Sequence, residues 1–130
     1  MTNIGIDVGA TELVVATRHK GLPQKKVKTF KNTIAGHQKI IDFCSKYLKY
    51  GKVKVVMEST GVYYFDLAVA LTCSKNIDVS VINPRAAKNF ARAAMERNKT
   101  DKADAIILAL FAETMDYPLW KRPSDSALSV

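Results

Sequence analysis

The chain opens with two apolar segments, Asn-Ile-Gly-Ile-Asp-Val at residues 3–8 and Glu-Leu-Val-Val-Ala-Thr-Arg at residues 12–18. Each is a short, nearly continuous apolar run, which is typical of a strand. Gly9 permits a tight turn between them, and a third strand is predicted over residues 25–31, after a second turn. The three segments predict a meander at the start of the fold.

The spacing of apolar residues changes after residue 33 and then alternates between the helix period and the strand period. The predicted elements are a helix from Thr33 to Gly51, a strand at 52–57, a helix at 62–74, a strand at 77–82, a helix from Pro84 to about Glu96 with Asn83 as its N-cap, and a helix from about Thr100 that ends before Tyr117. The order β-β-β-α-β-α-β-α-α predicts an α/β fold with a five-stranded mixed sheet and helices on both faces. This is the ribonuclease-H-like order of elements. In that arrangement the first and fourth strands are neighbours and their carboxyl ends share an edge.

Size and charge narrow the classes of function. The 130 residues fit one domain, predicted over 1–117, with residues 118–130 as a tail. A formal net charge of +8 suits a polyanionic partner, and nucleic acid fits better than a membrane because no basic amphipathic anchor is present in the sequence. No apolar run reaches the roughly 20 residues of a membrane span, and the start of the chain does not resemble a signal peptide.

The cysteines and histidines show no arrangement typical of a disulfide framework, a zinc site or a catalytic site. Cys44 and Cys73 are too few and too far apart for a disulfide framework or a zinc site, and both are predicted to be buried and reduced. His19 and His37 have no paired acid at catalytic spacing and are predicted to be solvated. These observations predict a cytoplasmic protein.

Two acids follow predicted strands at the position where ligands bind in open sheets. Asp7 lies near the carboxyl end of the first strand, and Glu58 lies at the carboxyl end of the fourth. If the two strands are adjacent, both carboxylates face one crevice. The alternative is local: Asp7 opens the turn before Gly9, and Glu58 caps the following helix.

The last predicted helix carries two further acids. Asp104 falls on the same face as Leu108, Phe111 and Met115, and Asp101 lies at the border of that face. An unpaired carboxylate on an apolar face is costly, so we expect a proton, a cation or a metal at Asp104. The helix dipole explains Asp101 well and Asp104 poorly, because Asp104 lies a full turn into the helix. Carboxylates without a matching His or Cys set predict a site for Mg²⁺, with Mn²⁺ as a substitute.

Basic residues are predicted to hold a nucleic-acid backbone next to these acids. They are Arg85, Lys88, Arg92, Arg97, Lys99 and Lys102. The first three share one face of the helix that follows Asn83, although a solvated amphipathic face would explain them equally well. The lysines of the third strand are predicted instead to protect an edge strand from aggregation; they are Lys25, Lys26, Lys28 and Lys31.

Four blocks of sequence follow one another in a recognisable order. They are Gly-Ile-Asp-Val at 5–8, Met-Glu-Ser-Thr-Gly at 57–61, Val-Ile-Asn-Pro-Arg at 81–85 with Phe-Ala-Arg at 90–92, and Lys-Thr-Asp-Lys-Ala-Asp-Ala at 99–105. Together they resemble the N-terminal RuvC-like domain of the DEDD transposases, the Piv and MooV type of invertase and insertion-sequence recombinase. The resemblance extends to about Pro123. It implies that the catalytic metal is bound by Asp7, Glu58, Asp101 and Asp104.

The resemblance also implies features that lie outside this chain. Complete members carry a C-terminal domain with a serine that attacks DNA and an element-encoded RNA that selects the DNA partners. The chain stops where that second half should begin, so we expect a fragment with little activity of its own. Ile106 and Leu110 lie away from the Asp104 face of an almost wholly apolar helix, so we expect them to dock against the missing half or a second copy of the domain.

Other functions stay open from sequence. A free-standing nuclease of the Holliday-junction-resolvase type would use the same four acids without a partner domain. Residues 7–11 (Asp-Val-Gly-Ala-Thr) also resemble the phosphate-binding start of actin-like ATPases and sugar kinases, but the sequence has no second glycine-rich loop. The non-enzymatic alternative is a degenerate domain that binds nucleic acid or dimerises. Metal binding separates that alternative from the others, and junction cleavage by the isolated domain separates a resolvase from a transposase.

Overall fold

The computed structural model describes residues 1–19, 22, 27–94 and 101–123, with side chains from residue 104 onward in the last range. The elements are β1 (Thr2–Val8), β2 (Glu12–His19), β3 (Lys28–Lys31), α1 (Ile34–Ser45), β4 (Val53–Glu58), α2 (Phe65–Thr72), β5 (Ile77–Ile82), α3 (Pro84–Ala93) and α4 (Asp101–Thr114), with a 3-10 turn at Leu48–Tyr50 after α1. This is the predicted order. The start of the predicted third strand (25 and 26) and the end of the predicted third helix (95 and 96) lie outside the described residues.

One mixed sheet organises the fold, with the strand order β3-β2-β1-β4-β5. β1 pairs antiparallel with β2 and parallel with β4, and β4 pairs parallel with β5. The predicted neighbours, strands one and four, therefore lie side by side at the centre. The two parallel pairs require crossover connections, which α1 and α2 supply. β3 is an edge strand, and its described lysines, Lys28 and Lys31, are exposed.

Helices cover both faces of the sheet, as predicted. Alternate residues of each strand point to opposite faces. Ile4 and Ile6 of β1 belong to the cluster that α1 and α2 cover, which also contains Ile40 and Leu67. On the other face, α4 lies against β1, β2 and β4, and α3 packs against α4.

α4 lies unusually close to β1 and runs antiparallel to it. A β-carbon at Gly5 would stand 2.2 Å from both the carbonyl oxygen of Ala105 and the amide nitrogen of Ala109, so the absence of a side chain permits this approach. At the far end of the helix, Glu113 accepts a 2.8 Å hydrogen bond from Nε of Arg18, near the carboxyl end of β2. The start of α4 consequently overhangs the carboxyl end of β1.

Three small predictions need correction or extension. Cys44 is buried as expected, whereas Cys73 is exposed because it follows the last turn of α2. His37 was predicted to be solvated but is buried, because the first turn of α1 packs against the end of β3. Beyond the predicted boundary at 117, the amide of Trp120 donates to the carbonyl of Val79 at 2.7 Å. Within the described residues, no helix is long and apolar enough to cross a membrane.

Candidate metal centre

The central parallel pair places two of the predicted acids next to each other. Ile6 pairs with Met57, and Asp7 and Glu58 are the next residues on the two strands. Residues two apart on a strand point to the same face of the sheet. Asp7 lies two residues after Gly5, and Glu58 lies two residues after Val56, so both acid side chains project towards the face that α4 covers. Adjacent strands are about 4.8 Å apart, which brings two carboxylates close enough to repel each other unless a cation lies between them.

The segment after Glu58 is a turn, not a helix start. The hydroxyl of Thr60 donates to Oε1 of Glu58 at 3.1 Å. Gly61 follows with φ of +63°, in the left-handed region that glycine adopts readily, and α2 begins only at Phe65. The alternative that Glu58 caps the next helix is therefore wrong, because the N-cap position is Tyr64 and has no side-chain cap.

α4 brings Asp104 to the same edge, but not in the environment that the helical period predicted. Leu108 and Phe111 are buried, as expected for one face of the helix. Asp104 itself is exposed, and Met115 on the same face is 45% exposed. The expectation of a buried carboxylate was wrong because the first turn of α4 extends beyond the carboxyl end of β1, where the sheet no longer covers it.

Asp7, Glu58 and Asp104 line one cleft of about 560 Å³, here called the acid cleft. Its other lining residues are Val8, Gly9, Thr11, Glu12, Val14, Thr29 and Thr60. The side chain of the fourth predicted acid, Asp101, lies outside the described residues. Among the described side chains, no three His, Cys, Asp or Glu groups are close enough to hold one ion. The donor set, carboxylate oxygens with a hydroxyl, nevertheless fits a hard cation such as Mg²⁺.

Glu12 is a lining acid that the sequence did not single out. It is the first residue of β2, it is exposed, and it pairs with Lys31 of β3. Its signal was present in the sequence, because a residue just after the Gly9 turn returns to the same sheet edge as Asp7. A solvated carboxylate at a strand start attracts no attention without the topology.

The described basic residues of α3 are on the solvent side of that helix. Arg85, Lys88 and Arg92 are exposed. The opposite side of α3 packs against α4 through residues that include Ala87 and Phe90. Asn83 caps the helix as predicted, because its side-chain oxygen accepts from the amide of Ala86 at 2.7 Å. Arg97 and Lys99 lie outside the described residues, as does the side chain of Lys102.

The two predicted interface residues are half-buried. Ile106 packs against the small cluster of Val14, Ala16, Ala105 and Ala109 on β2 and α4. Leu110 has the same intermediate exposure. α4 therefore leaves part of both side chains uncovered, and docking of a second copy or another domain there stays a prediction.

A larger cleft of about 930 Å³ lies at the amino ends of the strands, lined by residues that include Asn3, Lys54, Asp78 and Met115. None of the predicted site residues lines it. The size of this cleft does not by itself indicate a function. Three of the predicted acids line the smaller cleft, at the opposite edge of the sheet.

Comparison with known proteins identifies a matching family and two similar proteins. A family model described as a transposase, of the DEDD and IS110 type, matches residues 4–128. Over 76 residues the chain is 36% identical to the pilin gene-inverting proteins of Moraxella lacunata and Moraxella bovis. That match covers 58% of this chain and 23% of each relative, so the chain spans about a quarter of the length of these relatives.

Solved structures agree on the fold. RuvC of Thermus thermophilus superposes with a TM-score of 0.56 at 16% identity, covering 85% of this chain and 92% of that one. A fowlpox virus resolvase, solved with substrate Holliday junction DNA, superposes with a TM-score of 0.52 at 14% identity, covering 86% and 99% of the two chains. The predicted ribonuclease-H-like, RuvC-like fold is confirmed.

Proposed function

The chain belongs to the DEDD transposase family, and from that membership we propose that it is the metal-dependent catalytic domain of a DNA transposase or site-specific recombinase. Asp7, Glu58, Asp101 and Asp104 are proposed as the ligands of Mg²⁺, with Mn²⁺ as a substitute. The activity, in this proposal, is cleavage and transfer of DNA strands at phosphodiester bonds.

The observation that carries the proposal is the acid cleft itself. Asp7, Glu58 and Asp104 come from β1, β4 and α4, and all three line it. Acids from distant segments that converge at the carboxyl edge of a sheet are costly for folding, because like charges repel. A divalent cation that binds between them offsets this cost. The arrangement is therefore better explained by a ligand site than by solvation of three unrelated residues.

Each group has a role in this proposal. The four carboxylates hold and orient the ion, which when bound polarises a phosphodiester oxygen and activates a nucleophile. The Thr60 hydroxyl donates to Oε1 of Glu58 and so restricts the orientation of that carboxylate. The exposed basic side chains of α3, with the predicted Arg97, Lys99 and Lys102, hold DNA phosphates beside an otherwise repulsive cleft.

Partners beyond DNA are also part of the proposal. The match covers only 23% of the length of each relative, so a further domain is expected to complete the enzyme. An element-encoded guide RNA, a homo-oligomer that uses Ile106 and Leu110, and a cytoplasmic, DNA-associated location stay predictions. Membership of a transposase family argues against the actin-like ATPase alternative.

Calorimetric titration with Mn²⁺ tests the metal assignment. We expect the wild-type chain to bind Mn²⁺ and Asp7→Ala and Asp104→Ala to lose that binding. Asp42→Ala is the matched control, because Asp42 is an exposed aspartate on α1 that does not line the acid cleft. Absence of Mn²⁺ binding by the wild-type chain, both alone and with added duplex DNA, would overturn the proposal. Cleavage of a four-way junction by the wild-type chain alone would support the resolvase alternative instead.

A further inference from the structure

Asn32 connects the two loops that leave the acid-bearing strands. Its Nδ2 donates to the carbonyl of Gly9 at 2.8 Å, in the turn between β1 and β2. The same nitrogen donates to the carbonyl of Tyr63 at 3.1 Å, in the turn between β4 and α2. Gly9 lies two residues after Asp7, and Tyr63 lies in the turn that follows Glu58. A single amide group thus spans the gap between the chain segments on which the two carboxylates depend.

His37 fixes the orientation of that amide. Its Nε2 lies 2.6 Å from Oδ1 of Asn32. Both protons of Nδ2 point to carbonyl oxygens, which only accept, so Oδ1 is the acceptor of the remaining bond and Nε2 of His37 carries the proton. Both protons of Nδ2 and one lone pair of Oδ1 are consequently paired, which determines the orientation of the Asn32 amide. His37 is itself buried, which holds its ring in place.

The backbone around the pair is equally constrained. The Asn32 amide donates to the carbonyl of Thr11 at 2.9 Å, a second tie to the β1–β2 turn. The hydroxyl of Thr33 caps α1 by accepting from the amide of Gly36 at 3.0 Å. A β-carbon at Gly36 would overlap the carbonyl oxygen of Lys31, so only glycine lets α1 start this close to β3. Residues 32–37 (Asn-Thr-Ile-Ala-Gly-His) therefore form one tightly packed connection between β3 and α1.

We propose that Asn32, oriented by His37, is a positioning residue that sets the separation of the Asp7 and Glu58 carboxylates and so the affinity of the acid cleft for a divalent cation. The inference rests on the proposed function. Repulsion between the carboxylates favours spreading of the two loops, and both bonds from Nδ2 oppose it. Residues that orient metal ligands from outside the coordination sphere typically contribute about 10–100-fold to metal affinity.

Mn²⁺ affinity of paired variants tests this role. Asn32→Ala removes both bonds, and His37→Phe keeps a ring but removes the donor to Oδ1; we expect each to weaken Mn²⁺ binding by about tenfold or more. His37→Gln places a donor nitrogen near the position of Nε2 and should restore affinity close to the wild-type value. Ser80→Ala is the control, because it removes a different hydrogen bond of a buried side chain, to the carbonyl of Tyr117, away from the acid cleft. All titrations are made at a temperature at which circular dichroism shows every variant folded.

A second readout works without metal. Amide hydrogen exchange should become faster in Asn32→Ala at residues 9–11 and at 60–63 together, and unchanged at both segments in Ser80→Ala. Wild-type Mn²⁺ affinity in both Asn32→Ala and His37→Phe would overturn the positioning role while leaving the proposed function intact. A wild-type chain that binds no Mn²⁺, either alone or with added duplex DNA, would overturn both proposals, whatever the exchange rates show about residues 32–37.

Discussion

Gly5 is the residue that determines how closely α4 can approach β1. A methyl group there would stand 2.2 Å from two backbone atoms of α4, and backbone cannot rotate out of the way as a flexible side chain can. The helix would have to move off the sheet, and with it the start of α4 that carries Asp104 to the acid cleft. Stability and site geometry therefore depend on the same missing side chain.

Gly5→Ala is expected to lower the free energy of unfolding by about 3 kcal/mol, the upper part of the usual range for overpacking. Urea unfolding followed by circular dichroism measures the loss. Gly9→Ala is the comparison, because the nearest atom to its β-carbon, the carbonyl oxygen of Glu12, lies at 3.0 Å and requires a smaller shift. A Gly5→Ala protein as stable as wild type would contradict the close packing.

His37 is expected to make stability depend on pH. Burial lowers its pKa from the ordinary value of 6.5, and the Asp66 carboxylate only partly opposes this. The unfolded chain therefore takes up a proton at a higher pH than the folded chain does, so the free energy of unfolding falls as the pH drops below about 6.5. Urea unfolding at pH 7.5 and 5.5 should show a smaller decrease in His37→Gln, which has no titrating group there, than in wild type. An equal decrease in the two proteins would exclude His37 as the cause.

Single residues were predictable from sequence where local chemistry determines their position. Asp7 lies next to the end of β1 and Glu58 lies at the end of β4. That these two strands are neighbours follows from the order of elements, so the meeting of the two acids at one edge could be expected. Asp104 was placed at the right edge for the wrong reason, because helical periodicity gives the face of a residue and not the point at which the helix leaves the sheet. The burial of His37 depends on α1 packing against β3, a contact that carries no local signal.

The proposed binding of DNA depends mainly on the exposed surface of α3. It packs on α4 with one side and leaves Arg85, Lys88 and Arg92 exposed on the other. Because these side chains project from one short capped helix, they form a row with fixed spacing and are suited to following a phosphate backbone.

Replacement of Arg85, Lys88 and Arg92 together by alanine should weaken DNA binding and reduce its salt dependence. Each lost phosphate contact reduces the slope of log K against log salt by about 0.9, so the triple variant should lose roughly 2–3 units. Fluorescence anisotropy with a labelled duplex over a NaCl series measures it. The triple variant Lys39→Ala, Lys46→Ala and Lys49→Ala removes the same charge from exposed positions on and after α1 and should keep the wild-type slope. Equal slopes for the two variants would show that only net charge matters.

The observed element boundaries agree with those predicted from sequence where the apolar periodicity is unbroken. β5 was predicted at 77–82 and observed there. The helix predicted at 62–74 begins only at Phe65, because Gly61 turns the chain and residues 61–64 form a turn to which Asn32 is bonded. Apolar spacing alone could not reveal that turn, since Val62, Tyr63 and Tyr64 fit a helix equally well.

At the scale of the whole molecule, the packed domain extends beyond residue 117. The ring of Trp120 lies 5.6 Å from that of Phe65, edge to face, and its amide is bonded to β5. Residues 118–130 have no apolar periodicity, and for that reason they are predicted from sequence as a tail. A single large aromatic residue can join a core without any repeating pattern.

A chain that ends at residue 117 should unfold at a lower urea concentration than one that ends at 123. The expected loss is about 2 kcal/mol, less than the 3–5 kcal/mol typical of fully buried aromatic residues, because Trp120 is only half-buried. Tryptophan-independent far-ultraviolet circular dichroism follows both transitions. Identical midpoints would support the predicted boundary at 117.

The central pairing of β1 with β4 also has a consequence for how the chain folds. β1, β2 and β3 follow one another along the chain and pair in that order, so this meander can form early, whereas β1 and β4 join segments separated by β2, β3 and α1. Contacts across such a long loop form slowly. Asp104 is synthesised later still, on α4. A nascent chain leaving the ribosome therefore passes through a long interval in which its hairpins exist and its acid cleft does not, so interrupted synthesis yields products without an assembled site.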